Sequence, residues 1–179
     1  ALARSPESIA WLDDDADLAP RGRDRLQAEV DALLDRTPDT EEAVTLLRAL
    51  RRREMARTAM AEVLALRSAP ETSEALTDIA DVVLGGTLRA VEREAADGEG
   101  LLTRGCVVAM GRFGGREMGY GSDADVLFVH EPLPGADEAA AQAQATAVAT
   151  RLRALLGSTG LEPALEVDAD LRPEGRNGP

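Results

Sequence analysis

Apolar residues in the first half of the chain recur at the spacing of one helical face. The first such segment runs from Asp24 to Leu34, with inward positions at Leu26, Val30, Leu33 and Leu34. Pro38 interrupts this pattern, and Thr40 is followed by two glutamates, an order typical of a helix cap with acids in the first turn. The pattern therefore predicts a first helix over 24–34 and a second one that begins at Thr40.

The second helix is predicted to extend to about Arg67. Pro70 ends its pattern, and a third helix is predicted to begin at Thr72 or Ser73 and to reach about Ala95. The inward residues expected for the second helix are Val44, Leu47, Leu50, Met55, Met60, Val63 and Leu66. The first half therefore reads as a three-helix region behind an irregular acidic leader.

The hydrophobic period changes after the turn at 97–100. Cys106–Met110 and Val126–Val129 are short apolar runs of the kind found in buried strands. Between the second run and Gly157, the segment 136–156 has helical spacing, and 164–171 alternates in polarity like a strand. The order strand, short helix, strand, helix, strand predicts a compact α/β or α+β unit over 99–179, preceded by the leader and helical region over 1–98.

Composition narrows the classes of partner. The 179 residues carry a net charge of −13, which argues against nucleic acid and against an anionic membrane surface. No apolar run approaches the roughly 20 residues of a membrane-spanning helix. The single cysteine, Cys106, excludes an intrachain disulfide framework and a Cys-rich zinc site, and is expected to be buried in its strand.

The residues from Met110 to Val129 carry the strongest chemical signal. Five of the 16 glycines lie between Gly111 and Gly121, directly after a predicted strand, where glycine allows backbone amides to approach an anion closely. Arg112 and Arg116 add positive charge to this loop. The run fits neither the P-loop, because the chain has no lysine, nor the dinucleotide fingerprint G-x-G-x-x-G.

Two aspartates follow the loop at strand spacing. Asp123 and Asp125 are expected to point to one face of the second strand, about 7 Å apart at the backbone. Converging carboxylates form an oxygen-rich site for a hard cation such as Mg²⁺, and without a cation such a pair would be costly beside an apolar strand. The same D-A-D triplet at 15–17 is instead expected to be part of a solvated leader.

The third D-A-D triplet leaves two readings open. Asp168 and Asp170 lie on the polar side of the last predicted strand. By spacing alone they are as compatible with the solvent face of an edge strand as with a further carboxylate for the same cation. For the other candidate residues we expect structural roles. His130 is expected at the surface or in packing, and Arg51–Arg53 are expected to form a solvated helical turn paired with acids. Phe113 and Tyr120 are expected to pack around the loop, with stacking on adenine as the alternative.

Taken together, these segments resemble a known family. The run G-R-F-G-G-R-E-M-G-Y-G-S-D-A-D-V-L-F-V-H-E-P, the later L-E-V-D-A-D-L-R-P-E-G-R-N-G-P and the helical L-R-R-R-E-M-A-R-T-A-M-A-E-V-L are similar to the glutamine synthetase adenylyltransferase family. The resemblance implies an α+β fold, a polymerase β-like nucleotidyltransferase mixed sheet with flanking helices. The G-Y-G-S-D-A-D version is more similar to the C-terminal, adenylylating head than to the deadenylylating one.

Carried over by motif, the resemblance implies a catalytic and metal set and a nucleotide-binding set. Asp123, Asp125 and Asp168 would hold Mg²⁺, while Asp170 lies outside the D-x-x-L-R-P pattern. The residues expected to line the ATP triphosphate are Gly111, Arg112, Gly114, Gly115, Gly121 and Ser122.

The implied activity is Mg²⁺-dependent transfer of AMP from ATP to a tyrosine of glutamine synthetase, which regulates nitrogen assimilation. Two alternatives stay open: the adenylyl-removing head, which uses phosphate, and a non-catalytic docking fragment. In the family, glutamine and a PII-type signalling protein are the regulators. The chain begins at Ala1 and shows no signal pattern, which we read as a piece of a longer cytoplasmic protein.

Overall fold

The computed structural model describes residues 11, 14–19, 21–96 and 100–170. Its first half contains the helices α1 (Arg23–Arg36), α2 (Thr40–Val63) and α3 (Ala69–Ala96), preceded by a single 3-10 turn at Asp15–Leu18. The second half contains β1 (Thr103–Ala109), the single turn α4 (Gly111–Gly114), β2 (Ala124–Pro132), α5 (Glu138–Gly157) and β3 (Val167–Asp168). The three predicted helices and the order of the later elements are confirmed.

Helix α2 begins and ends differently from the prediction. Its cap is Asp39, whose carboxylate accepts a hydrogen bond from the Glu42 amide at 2.8 Å, so that Thr40 is already helical. The helix ends at Val63, before a left-handed Ala65 (φ 56°) that closes the turn. Val63 is 85% exposed and Leu66 is exposed too, so the prediction that both face inward is wrong.

Helix α3 starts earlier than predicted because Pro70 fits its first turn. The first residues of a helix donate no intrahelical hydrogen bond, so proline loses nothing there. The Glu71 carboxylate accepts hydrogen bonds from the Ser68 amide at 2.8 Å and from the Ser68 hydroxyl at 2.7 Å. Pro70 therefore begins a helix, and the predicted start at Thr72 or Ser73 was too late.

The three strands form one mixed sheet in the order β1-β2-β3. Strand β1 pairs antiparallel with β2, from Thr103 opposite Pro132 to Ala109 opposite Val126. Strand β2 pairs parallel with β3, with Ala124 beside Val167 and Asp125 beside Asp168. A small mixed sheet flanked by helices confirms the α+β prediction, although β3 has only two residues.

The two faces of the β1–β2 pair differ in burial. Helix α5 packs against the inner face, which carries Thr103, Val126 and Phe128. The outer face carries Cys106, Val108, Leu127 and Val129, and all four are exposed. The prediction of a buried strand therefore holds for one face only, and the prediction that Cys106 is buried is wrong.

The helical half and the sheet share a continuous core. One cluster of buried residues joins Leu26, Leu47 and Val83 of the helices to Val126 of β2 and Leu152 of α5. In the part of the chain that the structure describes, no helix is both long enough and apolar enough to span a membrane. The predicted boundary at 98/99 stays a prediction, and the acidic leader contributes the buried Leu18.

Candidate functional site

The glycine-rich loop leaves β1 through a turn that only glycine fits. The Met110 amide donates to the Asp125 carbonyl at 2.8 Å, which extends the β1–β2 ladder by one residue. Gly111 then adopts φ +51°, a conformation that other residues rarely take. A side chain at Gly111 would also collide with the Asp125 carboxylate. The glycine therefore allows the loop and the carboxylate to lie against each other.

Gly114 and Gly115 shape the α4 turn. Their amides donate to the Met110 and Gly111 carbonyls at 2.7 and 2.9 Å. A Cβ atom at Gly114 would lie 2.5 Å from the Ala109 carbonyl oxygen. Because these amides are used inside the turn, the structure does not bring Gly114 and Gly115 to the cleft with the other predicted nucleotide-binding residues.

An open cleft of about 470 Å³ lies between the loop and the start of β2. It includes a tight turn in which the Ser122 hydroxyl accepts a hydrogen bond from the Gly119 amide at 2.9 Å, and the Ser122 amide donates to the Gly119 carbonyl at 3.1 Å. The structure thus brings together five of the predicted site residues, with Gly111 directly beside Asp125. The cleft is lined by Arg112, Gly119, Gly121, Ser122, Asp123 and Asp125.

The third predicted carboxylate lies on the neighbouring strand. Since Asp125 and Asp168 are partners in a parallel ladder, their side chains project from the same face of the sheet. One Asp168 oxygen accepts a hydrogen bond from the Asp170 amide at 2.8 Å. Among the described residues, no three acidic, histidine or cysteine side chains are close enough to hold a metal ion together. The site therefore consists of two carboxylates in the cleft and a third on the adjacent strand.

The two loop arginines have different surroundings. Arg112 is exposed, lines the cleft and makes no ion pair with any described residue. Arg116, at φ 60°, turns away and pairs with Asp78 of α3 at 2.9 Å. Of the two positive charges expected beside the loop amides, the structure therefore places only Arg112 at the cleft.

The loop aromatics are held by the helices. Phe113 is 4% exposed and belongs to the core, which leaves no face for stacking on a ligand. The Tyr120 hydroxyl donates to the Glu62 carboxylate of α2 at 2.8 Å. Burial and this hydrogen bond raise the pKa of Tyr120 above its usual value. Of the two interpretations, packing around the loop holds for Phe113, whereas Tyr120 stays exposed beside the cleft.

The single histidine is bound on both ring nitrogens. His130 Nδ1 lies 3.1 Å from the Thr103 hydroxyl, and Nε2 lies 2.7 Å from the Gln142 side-chain oxygen. These contacts join β1, β2 and α5 on the inner face of the sheet. They agree with the expected packing role.

Two buried arginines of α2 hold the segment that leads to Asp168. Arg48 donates to the carbonyls of Leu155, Ser158 and Glu162 and to the Ser158 hydroxyl, at 2.5 to 3.3 Å. Arg51 donates to the Ala164 carbonyl at 3.1 Å, and burial lowers its pKa. The expectation of a solvated turn is therefore wrong for Arg51, which is 6% exposed.

Sequence reasoning missed this role for the two arginines, although a signal was present. Arg48 and Arg51 share the helical face of Val44 and Leu47, at spacings of three and four residues. The neighbouring Arg52 and Arg53 do pair with acids as expected, with Glu162 and with Glu29 and Glu54.

A second cavity of about 260 Å³ lies between α3, α5 and the inner face of the sheet. Its walls are mainly apolar and include Leu88, Val107, Phe128 and Val148. The Glu92 carboxyl also lines it, and burial raises the pKa of this group.

Comparison with known proteins gives one consistent family. A family model described as "Glutamate-ammonia ligase adenylyltransferase" matches residues 1–179. Proteins named "Bifunctional glutamine synthetase adenylyltransferase/adenylyl-removing enzyme" are 47% identical in Streptomyces avermitilis and 43% identical in Mycobacterium tuberculosis and Cutibacterium acnes. Each comparison covers 99% of this chain but only 17–19% of the relative, so the chain spans about a fifth of the length of these relatives.

Proposed function

The chain belongs to the glutamate–ammonia ligase adenylyltransferase family, and from this premise we propose that it forms the nucleotide site of an adenylyl-transferring head. The reaction moves AMP from ATP to a tyrosine of glutamine synthetase. One observation carries the proposal: Arg112, Ser122, Asp123 and Asp125 surround a single open cleft directly after a glycine-rich turn. One or two carboxylates commonly hold Mg²⁺ at a nucleotide, and arginine is a common phosphate ligand.

The donor set in the cleft fits Mg²⁺. In proteins this ion commonly binds one or two carboxylates together with substrate phosphates and water, so it does not need a closed cage of three acids. Neither Asp123 nor Asp125 makes a side-chain hydrogen bond or an ion pair with any described residue, and Asp125 is half-buried. Asp168, on the same face as Asp125, is the third candidate ligand.

When bound, Mg²⁺ would neutralise phosphate charge and polarise the bond that breaks. The chain itself contributes Arg112, which places a fixed positive charge at the phosphates, and the turn of Gly121 and Ser122, which allows their close approach. The tyrosine oxygen of the acceptor forms a bond to the α-phosphorus while the bond to pyrophosphate breaks. The proton of that hydroxyl goes to the Asp168 oxygen that is not bonded to the Asp170 amide, provided that this oxygen does not hold the cation.

The test combines the chain with ATP, Mg²⁺ and glutamine synthetase. Incorporation of AMP into glutamine synthetase supports the transferring head. Phosphate-dependent removal of the adenylyl group, which leaves as ADP because phosphate takes up the AMP moiety, identifies the removing head instead, an activity that the relatives' name also includes. If Asp123→Ala leaves all activity and magnesium affinity unchanged, the chain is a docking module. The regulatory link to nitrogen assimilation and to a PII-type protein depends on the first outcome.

A further inference from the structure

We propose that Tyr120 is a positioning residue whose hydrogen bond to Glu62 fixes the nucleotide-binding turn at 119–123 against helix α2. The inference rests on the proposed function, because it assigns the turn's shape a part in nucleotide binding. Tyr120 itself does not line the cleft, but both of its neighbours, Gly119 and Gly121, do. Its action on the site is therefore indirect.

Besides the packing of Phe113 and Met118 in the core, three polar contacts among the described residues attach the loop to the helical half. Arg116 pairs with Asp78 at 2.9 Å, and the amide of the buried Met118 donates to the Thr77 hydroxyl at 3.4 Å. Both of these contacts reach α3 and precede the turn. The Tyr120–Glu62 bond, at 2.8 Å, is the only one of the three that originates within the cleft-forming turn.

The turn has little else to hold it. Glycine on both sides of Tyr120 leaves the backbone free to adopt many conformations, and ordering such a segment costs conformational entropy. Within the turn, the structure provides the hydrogen bonds between Gly119 and Ser122. A side chain fixed to a helix at the centre of this segment limits where Ser122 and Asp123 can lie.

Helix α2 thereby supports the site from both sides. Glu62, in its last turn, holds the turn that precedes Asp125. Arg48 and Arg51, further back on the same helix, hold the segment 155–164 that leads to Asp168. The separation of Asp123 and Asp125 from Asp168 is therefore set in part by one rigid helix that contributes no ligand of its own.

The experiment compares Tyr120→Phe, Glu62→Ala, Glu62→Gln and the Tyr120→Phe/Glu62→Ala double variant. The probe is Mg²⁺ with an ATP analogue in which carbon replaces the oxygen between the α- and β-phosphates. We expect Tyr120→Phe and Glu62→Ala each to weaken binding about three- to tenfold, as for loss of one ordinary hydrogen bond at an exposed position. The double variant should bind no more weakly than either single one, and Glu62→Gln, which keeps an acceptor oxygen, should bind nearly as the parent.

Glu42→Ala is the matched control, because Glu42 is an exposed glutamate of α2 far from the loop. It should leave binding unchanged. Additive effects in the double variant, or less than a twofold change in affinity for Tyr120→Phe, would overturn the proposal.

A measurement without nucleotide separates this proposal from the proposed function. Hydrogen exchange of the Gly119 and Ser122 amides should be faster in Tyr120→Phe than in the parent chain. If the parent fails to bind the analogue while this exchange still accelerates, the assignment of the nucleotide site is wrong, but the Tyr120–Glu62 hydrogen bond does fix the turn. If the parent binds the analogue and the exchange rates do not change in Tyr120→Phe, the proposed role of the Tyr120–Glu62 hydrogen bond is wrong and the assignment of the nucleotide site is kept.

Discussion

Asp125 is the most constrained of the candidate carboxylates. Its backbone carbonyl accepts the Met110 amide, its side chain lies against Gly111, and its ladder partner is Asp168. Asp123, by contrast, is exposed and precedes the strand. A half-buried carboxylate without a cationic partner among the described residues is costly unless a cation binds there.

Asp125→Asn should therefore weaken metal-dependent binding of the ATP analogue by at least about tenfold, since even the loss of a group that only supports a metal ligand costs about that much. Removing a half-buried negative charge should leave the melting temperature equal or higher. Titration calorimetry measures the first quantity and thermal unfolding the second. Asp170→Asn is the control, since its side chain is exposed and only its backbone amide contacts Asp168. Equal affinity in Asp125→Asn and the parent would contradict the assignment of this residue.

Glu92 provides a prediction about pH. Burial raises its pKa in the folded chain above the ordinary 4.5, so the folded state holds this proton more tightly than the unfolded state does. The resulting stabilisation is fully present below the unfolded-state pKa and is lost as pH rises through the raised value. Glu92→Gln stays neutral at all pH values, so it should stabilise the chain at pH 7 and have little effect below about pH 4.

Thermal unfolding at several pH values measures this difference. Glu74→Gln serves as the reference, because Glu74 is exposed on the same helix. A stabilisation by Glu92→Gln that is equally large at pH 4 and pH 7 would show that packing, and not charge, is responsible.

The site was predictable as far as its residues are close in sequence. Arg112, Ser122, Asp123 and Asp125 lie within 14 residues of one another, in and directly after a glycine-rich stretch between two apolar runs, so the sequence already indicated them as one group. The contacts of Arg116 and Tyr120 were not predictable, because their partners Asp78 and Glu62 lie 38 and 58 residues away. Pairing over such distances depends on helix packing angles that periodicity does not contain.

Two adjacent glycines of helix α3 have opposite surroundings. A Cβ atom at Gly86 would lie 2.7 Å from Val30 Cγ1 of α1 and 3.2 Å from Leu47 Cδ1 of α2. A Cβ atom at Gly85 would meet nothing within 4 Å. Gly86 therefore allows three helices to approach closely, and Gly85 does not serve that contact.

These two positions make a matched pair. Gly85→Ala should stabilise the chain by about 0.5–1 kcal/mol, the helix-propensity difference between the two residues. Gly86→Ala should destabilise it by about 1–3 kcal/mol, because the methyl group overpacks the contact with Val30. Urea denaturation gives both values. A stabilising Gly86→Ala would mean that α1 moves away from α3 at little cost.

Helix α2 shows where the periodicity argument fails. The pattern of apolar residues predicted inward positions at Val63 and Leu66, but the helix ends there and both side chains are exposed. Earlier in the helix, part of the inward face is made by Arg48, Arg51 and Glu54, whose charged groups have hydrogen-bond or ion-pair partners. Hydrophobicity alone cannot identify a buried arginine whose guanidinium donates to main-chain carbonyls of a distant segment.

Arg48→Met tests this face. It removes donors to three carbonyls and one hydroxyl at and after the end of α5, and it takes away the hydrogen bonds that join α2 to this segment. We expect a loss of about 2–4 kcal/mol in the free energy of unfolding. Arg25→Met, an exposed arginine of α1, should change it by no more than about 0.5 kcal/mol. Similar values for the two variants would show that the Arg48 contacts do not stabilise the fold.

Viewed as a whole, the molecule carries too much negative charge to attract a nucleotide by its net field. Of the total of −13, the first hundred residues hold 13 arginines and 22 acids, so most of the excess lies away from the cleft. The local balance at the cleft is two aspartates against Arg112. A bound divalent cation changes the sign of that balance.

Nucleotide binding should therefore depend on a divalent cation. Removing Mg²⁺ with EDTA should weaken binding of the ATP analogue by more than about tenfold, because the aspartates then repel the phosphates. Fluorescence titration with and without EDTA measures this. Binding that is equally tight in EDTA would place the phosphates away from Asp123 and Asp125.

At this level the α+β class was predictable and the burial of the sheet was not. Alternation and element order indicated which segments are helices and strands, but a run such as Cys106–Met110 has the same pattern whether one or both faces of the strand are covered. The shared core of the two halves also depends on helix contacts that periodicity does not contain. In both cases the missing information lies in contacts between distant segments.

The contacts of Arg48 have a consequence for synthesis. Its partners at Leu155 to Glu162 lie 107 to 114 residues further along the chain. At typical translation speeds, about 5–20 residues per second, these acceptors leave the ribosome roughly 5–20 s after the arginine does. During that interval the guanidinium remains hydrated, and α2 cannot complete its packing. The final docking of the sheet is thus a late event in biogenesis, and a ribosome stalled before residue 155 would present an incompletely packed nascent chain.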